Sequence, residues 1–393
     1  MSTPTLWNNI AFPEHGSRDV STPRVDAYFE RSALVPINVQ IPAHAARFIA
    51  PHTERISQLT VFIDDQPGLD EIGEYLSSPA PLIETIALCI TYQRRPRDLS
   101  LPRGFFEGFL SVARTLALRG PIPSSGPCKF SKLTKFTLET CLTRSTSSTL
   151  LNILKHMPLL RVLRASLSRA ERLDSVPGNP VVTLPHLKEI AIMIEDNWLQ
   201  PVANQVLPSL NLPRARNVLL QLTRASAVPL APILPLSFEE RLPNFSVVPK
   251  ASAALKSDSN GIVLYGSGDS RLTLCINSNT PCTFTQSTYG GLPLESVRRL
   301  RVSFRDPAVD TVFFTHLLRS MKGLEFLQLK ENTIGPLGCW IGDFDQAGIC
   351  PALSTLIVID ADPKVRECVE VLGQVRRHAR VPISDVEIQR NRN

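Results

Sequence analysis

One frame recurs along this chain: an apolar residue, two of any kind, a second apolar residue, one of any kind, and a third apolar residue. It is complete at Ile56-Leu59-Val61, Ile83-Ile86-Leu88, Leu133-Phe136-Leu138, Leu187-Ile190-Ile192, Val297-Leu300-Val302, Leu324-Leu327-Leu329 and Leu353-Leu356-Val358. The starting positions constrain more than the frame does. Starts at 56 and 83, at 133, 160 and 187, and at 297 and 324 are separated by a constant step of about 27 residues, and the next start, 353, comes slightly later. A period in the twenties carrying LxxLxL is the pattern of a leucine-rich-repeat solenoid, in which each unit cannot bury its apolar face alone and must stack on a neighbour. Leu324-Leu327-Leu329 continues through Asn332 and Ile334 as LxxLxLxxNxI.

Weaker units keep the phase at Ala113-Leu116-Leu118, Leu160-Leu163-Ala165, Ala215-Val218-Leu220, Leu242-Phe245-Val247 and Ile383-Val386-Ile388, and Asp269-Leu272-Leu274 fits in its last two positions. About 12 units are in phase. Between frames the pattern changes to helical spacing. Leu69, Ile72 and Leu76 share one helix face; so do Leu150, Leu151, Ile153 and Leu154 behind Thr146 or Ser147 as N-cap, and Phe313, Phe314, Leu317, Leu318 and Met321 behind Asp310. Prolines such as Pro79, Pro81 and Pro158 end these segments and turn the chain back. Asp360 and Asp362 before Pro363 read as another strand-to-helix turn. Residues 170–184 and 249–270 carry no helical pattern; in the second, turns or a hairpin take the place of the return helix. The expected fold is α/β: a curved solenoid with a parallel inner sheet and helices or loops on its outer face. Leu324, Leu327 and Leu329 are expected in the core and Gln328 exposed.

Composition narrows the function classes. The net charge of +6 is spread over 42 basic and 36 acidic residues, too thin to require a nucleic-acid partner. Eight cysteines form no CxxC pair, as expected of reduced thiols in an intracellular, cytoplasmic or nuclear protein. No signal-peptide pattern follows Met1, and no apolar run is long enough to span a membrane. No GxSxG, HExxH, GxxxxGK[ST] or GxGxxG occurs, and the seven histidines stand at no ligand spacing. The Asp343-Phe344-Asp345 triplet reads as an inter-repeat loop rather than a metal site, and Tyr265 to Ser270 as a plain turn rather than an anion cradle. No catalytic residue, cofactor or metal is expected, and an enzyme is not expected. Near the end of the chain Arg376, Arg377, Arg380, Arg390 and Arg392 are interrupted by Glu367, Glu370, Asp385 and Glu387, which reads as a solvated helix face. With no aromatic residues interleaved, base stacking has no support there.

In a parallel strand the residues between the frame's apolar positions face the open side of the sheet. Late in the chain these are Arg271, then Arg299 and Arg301, then Phe326, Gln328 and Lys330. On three neighbouring strands they would make a basic ladder beside an aromatic ring, suited to an acidic or phosphorylated protein segment. Asp306 or Glu331 in the loops would pair with those charges if the face is merely solvated.

Three stretches near the start carry a further signal: Pro4-Thr5-Leu6-Trp7-Asn8-Asn9-Ile10, then Val25 to Ser32, then Val35-Pro36-Ile37-Asn38-Val39. Together with Pro51-His52-Thr53-Glu54-Arg55-Ile56 and Pro79-Ala80-Pro81-Leu82-Ile83-Glu84, they resemble the F-box/leucine-rich-repeat proteins of mushroom-forming fungi. There a P-x-LW-x-x-I stretch closes the F-box, and an amphipathic helix ending in Arg-Ser, a P-[LI]-x-[VL] strand and the repeats follow. The resemblance implies residues 1–45 as an F-box tail remnant and N-terminal cap, helical in part, and residues 46–393 as the solenoid. It also implies a substrate receptor of a cullin–RING ubiquitin ligase. The opening and central helices of the F-box are absent, so adaptor binding is not expected of this chain; Trp7 is expected to cap the first repeat. Two other functions stay open: a free-standing scaffold with no ligase link, and a weak nucleic-acid binder using the arginines.

Overall fold

A computed structural model describes residues 8–12, 22–32, 34–64, 66–90, 111–120, 130–141, 146–168, 181–194, 209–222, 251–256, 261–265, 271–276, 294–304, 311–331, 347–359 and 363–389, with the single positions 206, 338, 341 and 342. The chain divides into two units, Met1–Leu187 and Lys188–Asn393.

In the first unit seven strands stand side by side in sequence order, each parallel to the next: β1 (Asn9–Ala11), β2 (Ile37–Pro42), β3 (Ile56–Ile63), β4 (Thr85–Ile90), β5 (Thr115–Arg119), β6 (Lys135–Cys141) and β7 (Val162–Ser168). Register converts the frame into rows. Leu59, Ile86, Leu116, Phe136 and Leu163 are successive partners, as are Val61, Leu88, Leu118, Leu138 and Ala165. All of them are buried. Burying one such Leu or Ile side chain is worth about 1.5–3 kcal/mol, so the rows are the main stabilising element of the sheet.

The rows also run back toward the N-terminus. Val39 and Ile41 sit opposite Leu59 and Val61, and Ile10 opposite Val39. Ile10, in the remnant expected to be helical in part, lies in β1 and is buried. The reason is backbone pairing: the Asn38 amide donates to the Asn8 carbonyl at 2.7 Å and the Phe12 amide to Gln40 at 2.9 Å. Leu6 and Trp7 lie outside the described residues.

Helices make the return legs: α1 (Thr22–Arg31), α2 (Ala46–Ile49), α3 (Gln66–Tyr75) and α4 (Thr146–Lys155). As the spacing predicts, α3 buries Leu69 and Ile72, with Leu76 just beyond its end, and α4 buries Leu150, Leu151, Ile153 and Leu154. Side chains at the start of α4, including the expected N-cap at Thr146 or Ser147, lie outside the described residues.

A fourth apolar position, three residues before seven of the frames, is absent from the sequence reading. The first amide of the frame donates to the carbonyl three residues back: Ile83 to Ala80, Leu133 to Phe130, Leu160 to Met157, Leu187 to Leu184, Ala215 to Leu212, Leu324 to Met321 and Leu353 to Cys350. Every one of those acceptor residues is buried. Pro81, Pro158, Pro185, Pro213 and Pro351 occupy the next position, where the ring's locked φ preorganises such a turn. These prolines shape the entry into the strand as much as they end the helix.

The second unit contains β8 (Glu189–Ile194), β9 (Asn217–Leu222), β10 (Ala251–Lys256), β11 (Gly261–Tyr265), β12 (Arg271–Ile276), β13 (Val297–Phe304), β14 (Phe326–Glu331), β15 (Thr355–Ile359) and β16 (Asp385–Gln389). Their order is β8-β9-β12-β11-β10-β13-β14-β15-β16. Strands β13 to β16 are parallel in sequence order, and Leu300, Leu327, Leu356 and Val386 are successive partners. Leu324, Leu327 and Leu329 are fully buried. The frame at 383 keeps register, yet Val386 is 42% exposed, because β16 has a described strand on one side only.

Between β9 and β13 the sheet is interrupted as the pattern of residues 249–270 suggests. β10, β11 and β12 form an antiparallel meander; β12 pairs parallel with β9, and β10 parallel with β13. Val218 faces Leu272, two repeat steps further along the chain. The frame at 242 lies outside the described residues. Two helices complete this unit, α5 (Thr311–Ser320) and α6 (Pro363–His378). Phe314, Leu317 and Leu318 of α5 and the adjoining Met321 are buried; Phe313, Asp310, Asp360 and Asp362 are outside the described side chains.

Candidate recognition face

On the face opposite the buried rows, β13 to β16 align two rows of outward residues. The first is Arg299, Phe326, Thr355 and Asp385; the second is Arg301, Gln328, Ile357 and Glu387. Alternation puts them there: Leu300, Val302, Leu327, Leu329, Leu356 and Val358 take the buried parity, so their neighbours face out. Arg299 and Arg301 are exposed, while Phe326, Gln328, Ile357 and Lys330 are half-buried. The guanidinium of Arg299 stands over the Phe326 ring, its central carbon 4.8 Å from the centroid. That contact holds a cation and an aromatic surface together on the first two strands of the face.

The expected ladder is therefore assembled in part. Arg299, Arg301, Phe326, Gln328 and Lys330 lie on the adjacent strands β13 and β14, with Lys330 beside Ser303 and Ile359. Arg271 does not join them. It begins β12, separated from β13 by β11 and β10, about 14 Å away at ordinary strand spacing. The inserted meander is the cause, and the side chain of Arg271 is outside the described residues. Gln328, expected exposed, is half-buried between its register partners Arg301 and Ile357. The side chains of Asp306 and Glu331 are outside the described residues. Arg298, of opposite parity to Arg299, is tied down elsewhere: its Nη1 donates to the Gly323 carbonyl at 2.9 Å.

Two functional candidates escaped the sequence reading, Asp385 and Glu387, which had counted only as interruptions in a basic stretch. Both are exposed and complete the two rows on β16. Applying the strand parity to the weak frame at Ile383 would have found them. Arg376 departs from expectation in the opposite sense. Far from lying on a solvated helix face, it is fully buried. Its Nε donates to Val381 at 3.1 Å, Nη1 to Ile349 at 2.8 Å and Nη2 to Cys350 at 3.0 Å, all backbone carbonyls. Burial lowers its pKa from the usual arginine value. Burial likewise pushes the Cys350 thiol up to about 12, so it stays protonated and donates to the Leu318 carbonyl at 3.1 Å.

In the first unit, residues of the motifs near the chain start meet in space. Arg55 Nη1 donates to the Phe29 carbonyl at 2.9 Å and Nη2 to Ser32 Oγ at 2.6 Å; Ser32 Oγ in turn donates to Phe29 at 3.0 Å. His52 stacks on Phe29 with centroids 3.8 Å apart, and Thr53 is buried with its hydroxyl 3.5 Å from the Pro79 carbonyl. These residue types thus clasp α1 to the turn before β3. Burial is the main cause that lowers the pKa of His52 below 6.5; Asp26 opposes the shift and Arg55 adds to it. A base with a depressed folded pKa stabilises the fold above its unfolded pKa, and that contribution is lost as pH falls through the folded pKa. Melting temperature should therefore drop as pH falls below about 6.5, and His52→Gln should flatten that drop. An unchanged pH slope in the variant would remove His52 from the account.

Among the described residues, no group of three or more His, Cys, Asp or Glu side chains could share a metal ion. Nor is any helix among them long and apolar enough to cross a membrane. No protein-family model matches the chain, and no curated protein matches it.

Proposed function

We propose that this chain is a leucine-rich-repeat solenoid acting as a non-enzymatic protein-recognition module, a substrate-receptor-like relative of the F-box subunits of ubiquitin ligases. The observation that carries the recognition reading is the open face of β13 to β15. There a fixed repeat register sets Arg299 over Phe326 with Arg301 alongside, while the core side of the same strands is sealed by Leu300, Leu327 and Leu356. Exposed guanidinium groups beside an aromatic ring suit carboxylate- or phosphate-bearing segments of a partner protein, because arginine binds such groups bidentately. The ligase link rests on the resemblance of the motifs between residues 4 and 88; a free-standing scaffold would use the same face.

A photo-crosslinking residue placed at Gln328 should capture a protein partner from extract of the source cells, and one placed at the exposed turn residue Pro81 should not. The pair Arg299→Glu and Arg301→Glu should weaken capture by about tenfold or more, equivalent to about 1.4 kcal/mol. Crosslinking only to nucleic acid, with affinity falling steeply as salt rises, would replace this reading with the nucleic-acid one. Raised levels and lost ubiquitination of the captured protein in cells lacking the chain would support the ligase link over the scaffold.

A further inference from the structure

We infer that the face of β13 to β16 reads a charge-ordered, extended segment of its partner: an acidic residue, then an apolar one, then a basic one at alternate positions, laid across the strands. The inference rests on the recognition reading above and adds the order of the charges. Both outward rows begin with a cation on β13, Arg299 or Arg301, and end with a carboxylate on β16, Asp385 or Glu387. Between them each row carries one apolar group, Phe326 in the first and Ile357 in the second.

The two charged edges are three strand steps apart, about 14 Å at about 4.8 Å per step. Cation and carboxylate are therefore too far apart to neutralise one another in direct contact, and all four are exposed. An extended chain advances about 3.3 Å per residue, so five residues span the same distance. In such a pentad the acidic side chain at the first position reaches Arg299 and Arg301, and the basic one at the fifth reaches Asp385 and Glu387. The third lies on the same side of the extended chain as the first and fifth, and an apolar side chain there settles on Phe326 and Ile357. A uniformly acidic segment would meet repulsion at β16, and a uniformly basic one at β13. Discrimination of this kind comes from the mismatched pair as much as from the matched one.

The test uses the full chain and three fluorescent peptides that share Gly-Ser flanks. Their central pentads are Glu-Thr-Ile-Thr-Lys, Glu-Thr-Ile-Thr-Glu and Lys-Thr-Ile-Thr-Lys, and binding is read by fluorescence polarisation at low salt. The mixed peptide should bind at least about fivefold tighter than either uniform one. The pair Asp385→Lys and Glu387→Lys should shift preference to the acidic peptide, and Arg299→Glu with Arg301→Glu should shift it to the basic peptide. All four substitutions exchange exposed charges, and circular dichroism checks that the fold is retained. If the acidic peptide binds the unaltered chain as well as the mixed one does, the charge order is wrong while the basic recognition face stands. If no peptide binds and the fold is intact, both readings fail.

Discussion

Replacing Arg376 by Met should lower the unfolding free energy by about 3–5 kcal/mol, among the largest effects of any single substitution in this chain. The guanidinium directs its donors to the carbonyls of Ile349, Cys350 and Val381. Ile349 and Cys350 form the turn that enters the frame at Leu353, and Val381 follows the end of α6. The local backbone explains why Arg376 can do this. Arg380 adopts φ +60°, and the amides of Arg380 and Val381 return to the carbonyls of Arg377 and Arg376, a Schellman-type close. That close folds Val381 back within reach of the Arg376 side chain. Met matches much of the length and packing but removes three charge-assisted hydrogen bonds, each worth about 1.5–3 kcal/mol before water or relaxation intervenes. Lys keeps the charge as a single point donor, so Arg376→Lys should recover less than half of the loss. Arg377, exposed one residue away, is the control, and Arg377→Met should leave the denaturation midpoint unchanged. Equal behaviour of the two Met variants in denaturant unfolding would refute the latch.

Leu327→Ala should cost about 2–5 kcal/mol. Leu327 is fully buried in β14, between Leu300 and Leu356 on the flanking strands, with Leu324 and Leu329 at the other positions of its frame. Truncation removes the branched end of the side chain and leaves a gap that neighbouring strands, pinned by their own hydrogen bonds, can only partly close. Leu34→Ala, at a position 93% exposed, supplies the comparison and should be near neutral. A negligible loss at Leu327 would move the frame off the core side and undo the parity that places Gln328 and Phe326 on the open face. The recognition face and the core therefore stand or fall on one measurement.

Strand identity, spacing and core parity were legible in the sequence because they are local. Side chains alternate with a period of two along a strand, and each repeat step returns the chain to the same depth, so Leu59, Ile86, Leu116 and Phe136 announce their shared row without any coordinates. The helical faces at 69–76 and 150–154 were legible for the same reason.

What only the tertiary structure decided depends on contacts between residues far apart in sequence. The meander of β10 to β12 places Arg271 three strands from Arg299, although the period alone made them neighbours. Arg376 looks like any surface arginine until the turn at Ile349 and Cys350 brings carbonyls to it. Ile10 becomes a strand residue because β2, reached only after the whole of α1, offers it partners. Asp385 and Glu387 gain meaning only from the register that sets them across from Thr355 and Ile357. Periodicity in a sequence encodes which side of a strand a residue takes, since that follows from backbone geometry; which residues stand beside it follows from how the strands are ordered, and no local pattern carries that.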